Sequence, residues 1–576
     1  MGRIAKVQIR NFRSIRQLDW LPKPGFNCLF GPGDSGKSAV LDAINWCLST
    51  NFTRAATDAD FYRLDTNHPI EISLVIADLA PELGSLEPFG PFHCGLNPET
   101  GDIEDEPGRG LETALSVTLR IDQSMQGLWY LNSSRVEEES HCREMASRML
   151  RRLSLLQLQG ENASQLTFGR GSVLFNLTDD RLELSGALAQ AARAAREQFG
   201  DSANAQLEAT LTRVGEIAGD LGVDAATDAS ASLDASQTTL RPGHIALQDR
   251  YSVPLTRLGL GSSRLLIAGL QHEAATGADI GLIDELEAGL EPHRIVRLLQ
   301  ALGAKENDAP LQVFATTHSP VIIRELRADQ LVRVRNTDGV MTMPSMDASD
   351  DLQGTLRAFP EAFLAKSVIV CEGAGEEGFL RGLDLYRLDH GQRSLTAVGA
   401  SLVNAGGCNQ ILKRVEAFRA LGYRTAILRD DDKQPDADQE AELVSQGCLL
   451  AKWPKDYALE HALFMGLDSE TGVELVKRAV ARYGQKTIDA QVTQKLPKDS
   501  SFDFEVCETK EVLTEQERWA CAEAAKSKQR SWFKDRGVGV MEEIARDVVG
   551  PALENSADWF KAEIDRIFRW AADGGG

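Results

Sequence analysis

Cysteine is sparse: nine residues in 576, odd in number, scattered, with no C-x-x-C pair. That pattern argues against a disulfide framework or a structural zinc module, and it fits a reducing cytoplasm. Uncharged apolar runs of the roughly 20 residues needed to cross a bilayer are lacking, so no membrane partner is expected. The chain opens on a charged, strand-like segment instead of a signal peptide, and Met1-Gly2 lacks the Ser or Thr of a myristoylation pattern. Positive charge is in deficit, with 62 Lys and Arg against 85 Asp and Glu for a net −23. That balance argues against a protein that coats nucleic acid electrostatically. It leaves open an enzyme acting on nucleic acid, because clustered carboxylates recruit metal ions that meet phosphates where side chains do not.

What is present is an ordinary soluble composition, 43% hydrophobic and 26% charged, at a length that calls for more than one domain. Two phosphate-handling signatures stand far apart in it. Near the start, the alternating segment Ile4 to Ile15 reads as a half-buried strand. The apolar run Phe26 to Phe30 then leads into Gly31-Pro32-Gly33-Asp34-Ser35-Gly36-Lys37-Ser38 and a helix-like stretch from Ala39. In this G-x-x-x-x-G-K-S loop, Gly31, Gly33 and Gly36 let backbone N–H groups turn toward phosphates. Lys37 reaches the outer phosphates and Ser38 can hold magnesium, so ATP with Mg²⁺ is the expected ligand.

Three further segments complete the expected ATPase. Ile280 to Ile283 is an apolar strand ending in Asp284, which would bind magnesium through water, and Glu285, which would polarise the attacking water. Val313 to Thr317 is a second buried-looking strand, ending at His318, a candidate γ-phosphate sensor. Upstream, Leu258-Gly259-Leu260-Gly261-Ser262-Ser263 forms a small-residue turn before an apolar helix. The motifs I-R-N-F-R-S-I, the phosphate loop, G-L-G-S-S, I-D-E-L-E-A-G-L-E-P and T-T-H-S-P resemble the ATPase head of SMC/RecF-type ABC proteins. The resemblance implies head-to-tail composite sites, in which Gly261 and Ser262 of one subunit contact nucleotide held by another. It thus implies a homodimer or a higher even-numbered assembly. Gly33 and Glu291 depart from that pattern, standing where such heads often carry Asn and their relatives His.

Residues 187–250 are alanine-rich, helix-like at first and turn-rich from Asp224 to Ser236, and read as an inserted arm for dimerisation or DNA gripping. After Pro360 a strand-helix-strand-helix-strand pattern argues for a small parallel sheet. Its strands end at Glu372 and at Asp430-Asp431-Asp432, with a Gly406-Gly407 turn between. Glu372 and Glu376, four apart at a strand-to-helix junction, could face one site, and so could Asp430 and Asp432. Clustered carboxylates repel unless a cation neutralises them, and oxygen-only ligands suit Mg²⁺ or Mn²⁺.

The ordered set E-G-x-x-E, G-G, D-x-D resembles the Toprim domain of topoisomerases, primases and nucleases. An ABC-type head followed by a Toprim domain is similar to the overcoming-lysogenization-defect family of ATP-linked endonucleases, Gabija-type nucleases included. The resemblance implies two-metal hydrolysis of DNA without a covalent enzyme intermediate. Glu372, Glu376, Asp430, Asp432 and Glu460 would serve as metal ligands, and a C-terminal lysine would offset transition-state charge. Lys534 is the first candidate for that lysine, with Lys526 and Lys528 competing. A role in anti-phage defence and a helicase-like partner are implied by the same resemblance. The expected fold is therefore multidomain α/β. The SMC/RecF-like P-loop ATPase head would occupy residues 1–180 and 251–360, interrupted by a helical insert over 181–250. A Rossmann-like Toprim domain with C-terminal helices would fill 361–576. No basic winged-helix segment surrounds a tyrosine as a topoisomerase requires. The remaining alternative is a DNA-clamp ATPase whose Toprim unit is a non-cleaving scaffold.

Overall fold

The opening alternation of apolar residues produces a strand, but the chain reverses earlier than a single strand to Ile15 requires. In the computed structural model β1 (Arg3–Phe12) and β2 (Ile15–Trp20) form an antiparallel hairpin. Asn11 and Arg13 take φ of 54° and 49° to close it. That left-handed backbone is unusual for an arginine, and ion pairs of its guanidinium with Asp42 and with Asp60 (3.0 Å) hold it in place. The structure describes residues 2–49, 56–153, 155–157, 163–168, 172, 174, 184–220, 230–231, 245, 247–273, 280–306, 311–344, 346, 349–527, 531–533 and 539–573.

By its internal contacts the chain divides into two units. The first comprises residues 1–29, 36–317 and 336–342, and the second 30–35, 318–335 and 343–576. Further strands of the N-terminal part are β3 (Phe26–Phe30), β4 (Ile70–Ala77), β5 (His93–Leu96), β6 (Ile103–Glu104), β7 (Glu112–Ile121) and β8 (Gly127–Leu131). Then come β9 (Leu155–Gln157), β10 (Ile280–Ile283), β11 (Gln312–Thr316), β12 (Leu331–Arg333), β13 (Arg335–Thr337) and β14 (Val340–Thr342).

One sheet of the first unit runs β13-β14-β2-β1-β4-β7-β5-β6, with β8 also on β7. Its central pairs are antiparallel and rich in β-branched residues, which suit a pleated, half-buried surface. Strands β3, β11, β10 and β9 lie side by side and parallel. Every residue of β3, β10 and β11 is buried, as expected for parallel strands covered on both faces. Their carboxyl ends therefore place the phosphate loop, Asp284-Glu285 and Thr316 along one edge. The first part of the alanine-rich insert is one 37-residue helix, Leu184–Asp220. The expected turn-rich stretch from Asp224 to Ser236 falls almost wholly outside the described residues.

The second unit is built on β15 (Ser367–Cys371), β16 (Ala400–Asn404), β17 (Arg424–Arg429) and β18 (Leu449–Lys452), all parallel, in the order β16-β15-β17-β18. From β15 the chain crosses first to one side and then to the other. The cleft between β15 and β17 is thus the topological switch point where such sheets place their ligands. The C-terminal helices bury Phe379, Trp453, Phe464, Trp532, Phe533 and Phe560 in one core. In the helix Ala374–Asp389, Gly382 is so closely packed that an added Cβ would stand 2.1 Å from the Glu542 carbonyl oxygen and 2.7 Å from Ala545 Cβ. Gly382→Ala is therefore expected to destabilise the second unit by about 1–3 kcal/mol through overpacking. Chemical denaturation followed by circular dichroism checks this, and an unchanged midpoint would mean that the facing backbone can retreat.

Candidate functional site

Phosphate-loop geometry follows directly from β3. Gly31 has φ 146° and Gly36 φ 89°, and the helix Lys37–Leu48 starts at the motif lysine itself. At Gly36 a side chain would meet Ser14 Oγ at 2.8 Å and Met341 Cε at 2.9 Å. Glycine is required there on two counts, conformation and space. Gly33 has open space around it. Lys37 is buried and Ser38 is exposed.

Ser38 Oγ donates to Asp284 Oδ1 at 3.1 Å, joining the two residues expected to share magnesium. The same oxygen accepts from Thr316 Oγ1 at 2.5 Å. Thr316 Oγ1 in turn accepts the Glu285 N–H at 2.8 Å. Glu285 is exposed and has φ 47°, a strained conformation for a non-glycine residue. Arg264 helps to hold it, donating to the carbonyls of Glu285 (2.6 Å) and Asp284 (3.3 Å). Burial lowers the Arg264 pKa, against the pull of the nearby acids. Oxygen donors at this spacing fit a nucleotide-bound Mg²⁺.

Gly261 and Ser262 lie within the first turn of the helix Leu260–Glu273 and not in a preceding loop. Gly261 is essential to the packing there, because a Cβ would fall 2.1 Å from the Gly289 carbonyl oxygen. Ser262 Oγ accepts from Arg294 at 3.1 Å, and Glu291 pairs with the same arginine at 3.2 Å. His318 is exposed just beyond β11 and belongs by its contacts to the second unit.

At the carboxyl end of β15, Glu372 Oε2 accepts the Asp430 N–H at 3.1 Å. Asp430 Oδ1 accepts the Leu459 N–H at 2.8 Å. Asp432 pairs with Lys526 at 2.6 Å. Asp431 points elsewhere, toward Arg429 (3.2 Å) and Lys452 (3.1 Å), so the D-x-D alternation holds. Burial raises the Glu372 pKa, and the Asp432 charge adds to the shift despite the Asp430 N–H. A cation between these carboxylates would reverse that penalty, and an all-oxygen donor set suits Mg²⁺ or Mn²⁺.

The expected fifth and sixth partners are placed differently. Glu376 is buried, and its Oε2 accepts the Gly373 N–H at 2.8 Å, capping its own helix. Glu460 is fully buried in the first turn of the helix Leu459–Gly466. Among the described residues, no three His, Cys, Asp or Glu side chains converge closely enough to enclose a metal ion. Lys528 and Lys534 lie outside the described residues, and Lys526 is the candidate lysine brought to the carboxylates. Thr316, Arg264 and Arg429 went unnoticed in the sequence, because their roles rest on contacts with chain segments far from them. The one available signal was the position of Thr316 at the end of an apolar strand.

Residues 363–432 match the family model for the Toprim domain of overcoming lysogenization defect-like proteins. Residues 6–85 match an AAA domain model, and residues 151–324 match a second one described for AbiEii toxins of type IV toxin–antitoxin systems. The chain thus joins AAA-type ATPase regions to a Toprim domain similar to that of overcoming lysogenization defect-like proteins. Its first unit is also similar to curated RecF DNA replication and repair proteins. The Desulforamulus reducens protein is 34% identical over 68 residues, 12% of this chain and 18% of that one. The Prosthecochloris aestuarii protein is 39% identical over 56 residues, 10% and 15% of the two chains. The chain thus spans less than a fifth of the length of these relatives. Among solved structures, the Smc head domain from Pyrococcus furiosus, bound to the C-terminal domain of ScpA, aligns at 14% identity and TM-score 0.34. That alignment covers 60% of this chain and 97% of that one. The SMC head domain from Thermotoga maritima aligns at 15% identity and TM-score 0.29, covering 60% and 99%. No described helix is long and apolar enough to cross a membrane.

Because Thr316 holds both the Asp284 carboxylate and the Glu285 backbone, Thr316→Val should impair this ATPase–Toprim protein without opening a cavity. ATP hydrolysis is expected to fall about tenfold, in line with the loss of a hydrogen bond to a charged group. Steady-state phosphate release checks this, with thermal unfolding showing that the fold is retained.

Proposed function

We propose that this protein is a metal-dependent DNA endonuclease whose cleavage is governed by its ATPase. The observation that carries the reading is that Glu372 and the Asp430–Asp432 loop lie together at the switch point of the parallel sheet, where Glu372 accepts the Asp430 N–H and Asp432 pairs with Lys526. Glu372, Asp430 and Asp432 are the residues that would hold Mg²⁺ or Mn²⁺; Glu376 and Glu460, buried in the first turns of their helices, would have to turn toward the ion to join them. Metal bound there supplies Lewis-acid polarisation of the phosphate and a water acidic enough to attack at neutral pH. The Asp430 N–H and the Leu459 N–H fix the orientation of two carboxylates, so little rearrangement is needed on binding. Lys526 pairs with Asp432 in the absence of substrate and would turn to the developing negative charge on the phosphate.

In the first unit, Lys37, Ser38, Asp284 and Glu285 would bind and hydrolyse ATP. Gly261 and Ser262 would complete the site of another copy, so a homodimer or larger even-numbered assembly is the working form. The long insert helix supports pairing of copies. Phe199, Leu207, Val214 and Ile217 are each more than 40% exposed and fall on one side of it at helical spacing. The family likeness supports action on foreign DNA in the cytoplasm, with a helicase-like neighbour as the natural partner.

Plasmid nicking and linearisation with Mg²⁺ or Mn²⁺, with and without ATP, tests the reading. Glu372→Ala and Asp432→Ala should abolish cutting, and Lys526→Ala should slow it by about 100-fold. Lys534→Ala should have the smaller effect, and the opposite ranking would return the role to Lys534. ATP-stimulated DNA binding without cutting under any metal would replace the nuclease reading with that of a DNA clamp.

A further inference from the structure

Beside the acidic loop lies a set of exposed aromatic rings that neither the ATPase nor the metal chemistry uses. Tyr457 is their centre. Its carbonyl accepts the Asp431 N–H at 2.8 Å, which ties it directly to the loop carrying Asp430 and Asp432. Trp519 stands at 5.7 Å from the Tyr457 ring on one side and Trp559 at 6.1 Å on the other, both edge-on. The two tryptophans come from separate helices, Glu515–Ala525 and Asp558–Asp573, yet keep 40% and 36% of their surface exposed. Trp519 also lies on the helix whose end carries Lys526, the lysine on Asp432.

A cleft of about 580 Å³ opens on the Trp559 side. Lys452, Trp453, Lys455 and Trp559 line it, together with Asp431 and Glu563. Its two acids are already neutralised: Asp431 by Arg429 and Lys452, and Glu563 by Arg566 at 3.1 Å. Lys455 is exposed with no ion pair among the described residues. Trp453 is buried, and its indole N–H has no hydrogen-bond partner there. Flat rings and a free cation are together what recognises an unstacked nucleobase and its phosphate.

We propose that Trp519, Tyr457 and Trp559 form a stacking surface for unpaired DNA bases flanking the scissile phosphate, with Lys455 at the cleft meeting the backbone phosphate. The proposal deepens the nuclease reading and rests on it for the location of the cut. It makes single-stranded or locally opened DNA the preferred substrate.

Binding without cleavage tests it. The full-length chain in EDTA is titrated into fluorescein-labelled dT20 and into a blunt 20-base-pair duplex at fixed salt, read by anisotropy. The native chain should prefer dT20. Trp519→Ala and Trp559→Ala should each weaken dT20 binding about tenfold, while Trp→Phe at either position keeps most of the affinity. Lys455→Ala should flatten the salt dependence for dT20 by about one phosphate contact. Equal affinity for the two DNAs, or alanine variants that bind dT20 as the native chain does, overturns the proposal. Plasmid cutting by the same preparations separates the two readings. A native chain that cuts while its tryptophan variants bind normally removes only the stacking surface. Tryptophan-dependent dT20 binding with no cutting removes only the nuclease.

Discussion

The guanidinium of Arg429 is the interaction on which the second unit's chemistry depends. It is fully buried at the last position of β17 and is bound by Glu440 (2.6 Å), Asp431 (3.2 Å), Gln434 (3.3 Å) and the Asp430 carbonyl (2.6 Å). Three consecutive aspartates would otherwise repel one another at a strand end. Arg429 takes the middle one out of that conflict. With Lys452 it holds the Asp431 carboxyl below its usual range, although burial works against ionisation. What is left is two carboxylates facing the Glu372 side, separated by a neutralised residue. A buried charge of this kind stabilises little by itself, and stripping its partners costs about 3–5 kcal/mol. Its value lies in fixing which acids are offered to a ligand and which are not.

The first unit solves the same problem with a threonine hydroxyl and an arginine bound to backbone carbonyls. Asp284 and Glu285 also sit together at the end of a parallel strand, and they too must be held apart in role. Thr316 reaches across from β11 to hold one carboxylate and one backbone N–H. Arg264 takes the two carbonyls behind them. Glu285 is left exposed on a strained backbone while Asp284 turns to Ser38. In both units a neighbour that binds the backbone or the adjacent acid fixes how the remaining acids are presented.

Much of this was legible in the chain because it is local. The phosphate loop, the strand before Asp284 and the strands before Glu372 and Asp430 each announce themselves within ten residues, and the parallel sheets follow from them. What was not legible depends on distant pairs. The choice between Lys526 and Lys534 turns on which helix end faces Asp432, about ninety positions earlier in the chain. The hairpin at Asn11 and Arg13 depends on Asp42 and Asp60, which no alternation pattern contains. Glu376 has the right spacing from Glu372, yet a helix N-terminus competes for its carboxylate with an N–H three residues away. Spacing identifies candidates, and only packing decides among them.

A net charge of −23 sets the last constraint. Counterion release, the usual source of affinity for DNA, requires many lysines and arginines against phosphates. Near the acidic loop several cations are held in ion pairs: Lys452 with Asp431, Lys526 with Asp432 and Lys495 with Glu523. On the nuclease reading, such a site gains little from charge and takes its grip from elsewhere. Stacking on aromatic faces is one source that does not require a positive surface, and it is open only to bases that have left the helix. Exposed Trp519 and Trp559 beside the carboxylates fit an acidic protein for that reason. They would exclude intact duplex at the point of chemistry, since paired bases present edges to a protein and not faces.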